Sequence, residues 1–417
     1  MRKTRRIPPK QTPAISTNLK PKRFRELRTS HGRFLQILIV LAVASFGYAA
    51  LMITHAATTT ATTQAESGSR SSNVSLITDG SASGGKAVQF HAASSGGGGG
   101  TGGGGGGSTG GGSGGGGGTA LSLNGTSLSQ GGKRFIFKGV NLEYFRDSGG
   151  ASISTSEVSM ASQLVAKMKA AGINAVRLDY TPSFVNQGSN MSSYENMMKL
   201  LASNGMYILP CDHSYTNGTI SGYTTTSFPD FKTILDYAKQ QGIMNYIVMN
   251  PYNESNGSES SWVSAYKATL QYFRSTLGYK GIVAIDTNSW ATTDNTSSFQ
   301  TIQSYDASLM GGKANVMFSN HLYPGYDYQT NMSLSKTYPM MFGELGNTVS
   351  GGYSSSGENY VNQVFSAEIS TGIPDGNNGI FPWIWWWTDG NQMTDDGLTL
   401  NSVGQQTVTN YYSKVSN

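Results

Sequence analysis

From Thr119 onward the chain alternates short apolar runs with longer segments whose apolar residues recur every three or four positions. "FIFKGV", "NAVRLDY" and "MYILPCD" are mostly apolar on both faces, the pattern of parallel strands covered by helices. Between them, "SEVSMASQLVAKMKAAG" reads as an amphipathic helix closed by Gly172. "SSYENMMKLLASNG" reads as a second helix, with Ser192 and Glu195 at capping-box spacing and Gly205 as its stop. A helix ending at Gly242, the strand "YIVMN", a helix from Trp262 to Leu277 and the strand "GIVAID" continue the alternation. "NVMFSNHLY", "PMMFGEL" and "GIFPWIWWW" are three further strands, with "NYVNQVFSAEIS" and "SVGQQTVTNYYSKV" as later helices. Counted from "FIFKGV" there are eight strands, which predicts an α/β fold, a (β/α)8 TIM barrel over residues 119–417. An open doubly wound sheet is the alternative, though it usually has fewer strands and a glycine-rich first turn.

Upstream the pattern is different. Phe34 to Ile53 is a run of 20 residues without a charge, long enough as a helix to span the hydrocarbon core of a bilayer. The basic segment before it predicts a single transmembrane helix with residues 1–33 as a cytoplasmic head and the remainder outside. The alternative is a signal peptide cut near Thr54-His55-Ala56, with secretion of the rest. Residues 54–118 then form a stalk. Within it, Ala65–Ala92 with its "ASGGKAV" stretch resembles the opening strands of a carbohydrate-binding β-sandwich module, about a quarter of one by the usual size of such domains. Residues 96–118, 19 Gly and four Ser/Thr, have nothing to bury and predict a flexible tether. Square-root scaling gives such a coil a span of roughly 25 Å.

Charge follows this division. The chain carries a net +5, but residues 1–33 hold 11 Lys/Arg against one Glu, so the rest is net negative. A basic face for nucleic acid is therefore not expected on the folded part. The single cysteine, Cys211, excludes an internal disulfide, and about 300 residues suffice for stability through burial alone. The expected protein is a monomer with no cofactor.

The polar residues at the ends of the predicted strands carry the chemistry, because a (β/α)8 barrel builds its site there. Those ends hold Arg177, then Asp212 and His213, then Asn253 and Glu254 in "NPYNES". Later ends hold Trp290, His321 and Tyr323, Glu344, and the tryptophans of "PWIWWW". Two glutamates among hydrogen-bonding groups and aromatic platforms suit glycosidic hydrolysis, in which one carboxyl protonates the leaving oxygen and the other attacks the anomeric carbon. Taken singly, each has a plainer reading: Glu254 as a solvated loop residue, Arg177 as a rim salt bridge, the histidines as structural hydrogen-bonders. Asp212, His213 and His321 match no zinc spacing, and no metal is expected.

With Asn-Glu ending strand four, Glu ending strand seven, Arg on strand two, "HLY" on strand six and Trp on strand eight, residues 119–417 resemble glycoside hydrolase family 5. The resemblance implies a retaining mechanism with Glu254 as acid/base and Glu344 as nucleophile. It further implies that Asn253 meets the sugar 2-hydroxyl, that Tyr323 and Arg177 hold Glu344, and that His213 and His321 line the same subsite. Trp385 is the expected stacking platform. Ser255 stands where the family often has Pro, which puts the local turn in question. The expected activity is endo-hydrolysis of an external β-1,4-linked polysaccharide, cellulose or another β-glucan first and β-mannan second. A surface protein that binds carbohydrate without turnover is the rival.

Overall fold

The computed structural model describes residues 74–78, 86–90, 119–146, 155–214, 227–348, 354–386 and 391–417. The basic head at 1–33, the apolar run at 34–53 and the glycine tract lie outside the described residues, and so do the remaining parts of the stalk. Among the described residues no helix is long and apolar enough to cross a membrane. The chain divides into two compact units, residues 1–108 and 109–417. In the first, β1 (Val74–Thr78) pairs antiparallel with β2 (Lys86–Phe90), inside the stretch that resembles a sandwich module.

The second unit opens with a small antiparallel sheet that the alternation reading had not resolved. It consists of β3 (Leu121–Asn124), β4 (Ser127–Gln130) and β5 (Lys133–Arg134). Its signal was present in "LSLNGTSLSQ", alternating apolar and polar residues around an Asn-Gly turn, with Gly125 at φ 64°. Leu121, Leu123 and Leu128 pack with Phe137, Leu209, Met317 and Phe381, so this hairpin helps plug the floor of the barrel.

The barrel strands are β6 (Phe137–Phe145), β7 (Ala175–Tyr180), β8 (Tyr207–Asp212), β9 (Asn250–Tyr252), β10 (Val283–Asp286), β11 (Val316–Leu322), β12 (Met340–Leu345) and β13 (Gly379–Pro382). Their order in the sheet is β10-β11-β12-β13-β6-β7-β8-β9, and the pairs are parallel. A bridge between Met249 and Val283 joins the two ends, with Ala284 N–H donating to Met249 O. This near-closure sets aside the open doubly wound alternative.

Helices Thr155–Ala170, Asn190–Ser203, Phe228–Gln240, Glu259–Gln271, Thr296–Leu309 and Ser355–Ala367 cover the strands. Gly172, Gly205 and Gly242 stand at positive φ just past three of them, as helix stops should. The expected capping box at Ser192 does not form. The helix begins at Asn190 with Ser189 at its cap, which places Ser192 inside the first turn. "GIFPWIWWW" is likewise not one strand: Trp383 turns into the left-handed region at φ 62°, and β14 (Ile384–Trp386) leaves to pair with β15 (Gln392–Thr394).

Candidate active site

Register shifts interrupt the ladders near the C-terminal ends of the strands, between Leu142 and Phe145, Cys211 and Asp212, Asn320 and His321, and Phe342 and Leu345. Such irregularities re-aim side chains, and here they flank the polar cluster. Arg177, on β7, is at its centre. Fully buried, it donates from Nε to Asn250 Oδ1 at 2.7 Å, from Nη1 to Glu344 Oε1 at 2.9 Å, and from Nη2 to Asn253 Oδ1 at 2.5 Å. Its Nη2 also meets Asp286 Oδ2 at 3.1 Å. A guanidinium out of water needs such partners, and these carboxylates keep Arg177 charged against its burial.

Glu344, on β12, is held on both oxygens. Arg177 donates to Oε1 and the Tyr323 hydroxyl donates to Oε2 at 2.6 Å. Burial and the two nearby glutamates push the Tyr323 phenol far up, so it stays a neutral donor. The other carboxylate follows β9. Glu254 sits at φ 44°, in the left-handed region where a side chain costs of order 1 kcal/mol or more. Its backbone N–H donates to Asp286 at 3.2 Å, which offsets part of that strain. The neighbouring Ser255 is fully buried.

One oxygen of Glu254 and one of Glu344 lie within 4.8 Å of each other and of His321. Burial first, and then the charge of Glu344, raise the pKa of Glu254, while the His321 contact works against them. His321 faces a carboxylate on each side, with Nδ1 hydrogen-bonded to Glu254 Oε1 at 2.9 Å and Nε2 within ion-pair range of Asp286 Oδ2 at 3.2 Å. Burial disfavours its charge, but Glu344 and Asp286 outweigh it and hold the imidazole up at about 10. Asp286 is correspondingly driven down: burial opposes its ionisation, and His321 and Arg177 overcome that. His213 is neutral instead, lowered by burial, Arg146 and Arg177. Its Nδ1 lies 3.4 Å from Asn253 Nδ2, which leaves the proton on Nε2, 4.0 Å from Glu344 Oε1.

Arg177, His213, Asn253, Glu254, His321, Tyr323 and Glu344 are thus brought together. Trp290 lies on the segment after β10, 42% exposed, with a left-handed backbone like those of Ser289 and Ala291. The expectation for Trp385 fails on geometry. Strand alternation turns it inward, it is fully buried, and its indole N–H donates to Gly397 O at 2.9 Å, so it offers no face to a sugar. The next residue, Trp386, is partly exposed and packs edge-on with Tyr144.

Sequence reasoning also passed over Asp286, Asn250, Asp179 and Glu143. Each lies in or at the end of a barrel strand, so the rule that selected Arg177 would have selected Asp286 from "VAID" and Asp179 from "RLDY".

Among the described residues two groups, Glu143-Asp179-His213 and Glu254-His321-Glu344, have donor atoms close enough to hold a metal ion. Neither fits one well. Arg146 pairs with Glu143 and Arg177 with Asp179 in the first, and His321 is protonated in the second.

Residues 128–388 match the family profile described as cellulase (glycosyl hydrolase family 5). Among solved structures, the chain is similar to the β-mannanase from Thermomonospora fusca, with a TM-score of 0.55 and 19% identity over 72% of this chain and 98% of that one. It is similar to the endocellulase of Pyrococcus horikoshii, at 0.53 and 15% over 72% and 99%. The catalytic domain of the major endoglucanase from Xanthomonas campestris pv. campestris gives 0.50 and 15% over 70% and 99%. At these identities the likeness is one of fold. No curated protein sequence matches the chain.

Proposed function

The chain belongs to glycoside hydrolase family 5 and is a glycoside hydrolase, and on that premise we propose that it cleaves a β-1,4-linked polysaccharide internally with retention of configuration. A β-glucan is the first candidate substrate and β-mannan the second. The observation that carries the mechanism is the approach of Glu254 and Glu344 to within 4.8 Å. Retaining pairs stand about 5–5.5 Å apart, whereas inverting pairs leave about 6.5–9.5 Å for a water.

Glu344 attacks the anomeric carbon while the glycosidic C–O bond breaks, and the leaving oxygen takes the proton of Glu254. Raised by burial and by Glu344, Glu254 keeps that proton to higher pH than an ordinary glutamic acid. Glu254, now a carboxylate, next takes a proton from water, whose oxygen attacks the same carbon and frees Glu344. Arg177 and Tyr323 steady the nucleophile through both steps, and Asn253, fixed by Arg177, meets the 2-hydroxyl. Trp386 replaces Trp385 as the platform for a sugar ring, and Trp290 supplies a second. β-Mannan is kept as a substrate because the similar structures include a β-mannanase as well as endoglucanases.

The reading also includes export, with the hydrolase held outside the cell by the apolar run at 34–53, or released if that run is cut as a signal. Soluble glucan, mannan and xylan, assayed for product length and for the anomer first formed, test the proposal. Internal cleavage with the β-anomer first supports it, and the α-anomer first rejects the mechanism.

A further inference from the structure

We propose that Asp179 is a positioning residue for the second half of the reaction, holding the Arg177 guanidinium in place while Glu344 is esterified. This role rests on the retaining mechanism above. Arg177 Nη1 stands between two carboxylates, 2.9 Å from Glu344 Oε1 and 3.2 Å from Asp179 Oδ1. Asp179 is fully buried, and neither of its oxygens makes a hydrogen bond, although the ion pair is within range. A carboxylate that served only the fold would be expected to be satisfied there. Asp179 is instead a second carboxyl at a nitrogen whose anionic partner disappears during turnover.

When the Glu344–C1 bond forms, Glu344 loses its charge and Nη1 is left facing an ester. Nη2 keeps Asp286, but Nη1 has no other anion than Asp179. Burial holds the Asp179 carboxyl up, at about 7, with Arg177 pulling it down and Glu344 pushing it up. Loss of the Glu344 charge removes that push, so Asp179 ionises against Arg177. Its proton leaves past Glu143 and His213, whose nearest oxygen and nitrogen lie within 4.8 Å and whose side chains are each 8% exposed. The proton returns when water breaks the ester and the Glu344 carboxylate reappears, so none is gained or lost over a full cycle. Other groups facing Asp179 are Arg146 on the chain after β6, Asp286 on β10, and the high-pKa Cys211 and Tyr194, which remain neutral.

The test separates the two steps. 2,4-Dinitrophenyl 2-deoxy-2-fluoro-β-cellobioside, or the corresponding mannobioside, traps the glycosyl-enzyme, and the isolated adduct is then followed as it regains activity. Asn resembles the protonated acid but cannot ionise. Asp179→Asn should therefore form the adduct within about threefold of the normal rate and lose it about tenfold or more slowly. Equal slowing of both steps, or of neither, would overturn the role, since a packing defect spares no step.

A second measurement leaves Asp179 untouched. In Glu254→Gln, where the activated leaving group needs no acid, adduct formation at about pH 6 should release most of one proton into weak buffer. No release would also overturn the role. Absence of any covalent adduct on the unaltered enzyme would reject the retaining mechanism itself, and this proposal with it.

Discussion

At the residue scale, the proposed mechanism divides one reaction between two glutamates, and their removal tests that division. Glu344→Gly should abolish hydrolysis of polymer, and added azide or formate should restore turnover with a product of opposite anomeric configuration. Glu254→Ala should spare the first step on an activated aryl glycoside while slowing polymer cleavage by about 10²-fold or more. Pre-steady-state kinetics would show a fast burst followed by slow turnover. The pH dependence follows from the sign of the shift. On the proposed mechanism Glu254 must be protonated to act, and its pKa is raised, so kcat/KM on polymer should hold above the ordinary range of glutamic acid and fall as pH passes through the raised value. That alkaline limb should vanish for the aryl glycoside in Glu254→Ala. Much of this was legible in the sequence, because strand ends mark the site of a barrel. Arg177's second partner was not, since Asp286 lies 109 residues from it and only closure of the barrel brings them together.

At the element scale, the segment Glu368–Gly372 that ends the helix after β12 carries an uncommon burden. Glu368 is fully buried with neither oxygen hydrogen-bonded, and burial pushes its carboxyl up to about 8 against the pull of Arg134. The folded pKa lies above the unfolded one, so the folded state binds more protons between them. Stability from this group is therefore complete below about pH 4, and it declines as pH rises toward about 8. Glu368→Gln should flatten that decline, and chemical denaturation from about pH 5 to pH 9 would detect a change on the order of 4 kcal/mol in the slope's total. A neighbouring element tests the barrel seam. Gly379 opens β13 at φ 108°, and a Cβ there would meet Phe137 O at 2.2 Å, a backbone atom that no rotamer change can move. Gly379→Ala should cost about 2 kcal/mol or more, visible as a lower Tm.

At the scale of the whole molecule, the hydrolase unit contains every residue of the candidate cluster, and on the proposed reading the upstream segments bear on where it works. Deleting residues 65–118 should leave kcat/KM on a short soluble oligosaccharide within about twofold, because no part of the described site comes from them. A large loss on that substrate would show that the stalk completes the cleft and would move the domain boundary from Thr119. If the run at 34–53 is an anchor, protease added to intact cells should release an active fragment beginning near the glycine tract. Mature protein starting at Ala57 in the medium would instead show a cleaved signal.

The sequence by itself determined the fold class and pointed to the proposed catalytic pair, because both readings rest on local regularities. Strands apolar on two faces must be covered by helices, and a polar residue ending such a strand must emerge at one face of the barrel. Trp385 and Trp386 show where this reading stops. Both belong to one tryptophan run, and only the break at Trp383 and the new pairing of β14 with β15 decide which indole is buried. The same holds for the charges. That His321 is protonated, His213 neutral and Glu254 raised depends on which carboxylates and guanidinium groups stand within a few ångströms, far apart in the chain. Electrostatic energy falls with distance through space and takes no account of separation along the sequence, so these states were fixed only when the barrel closed.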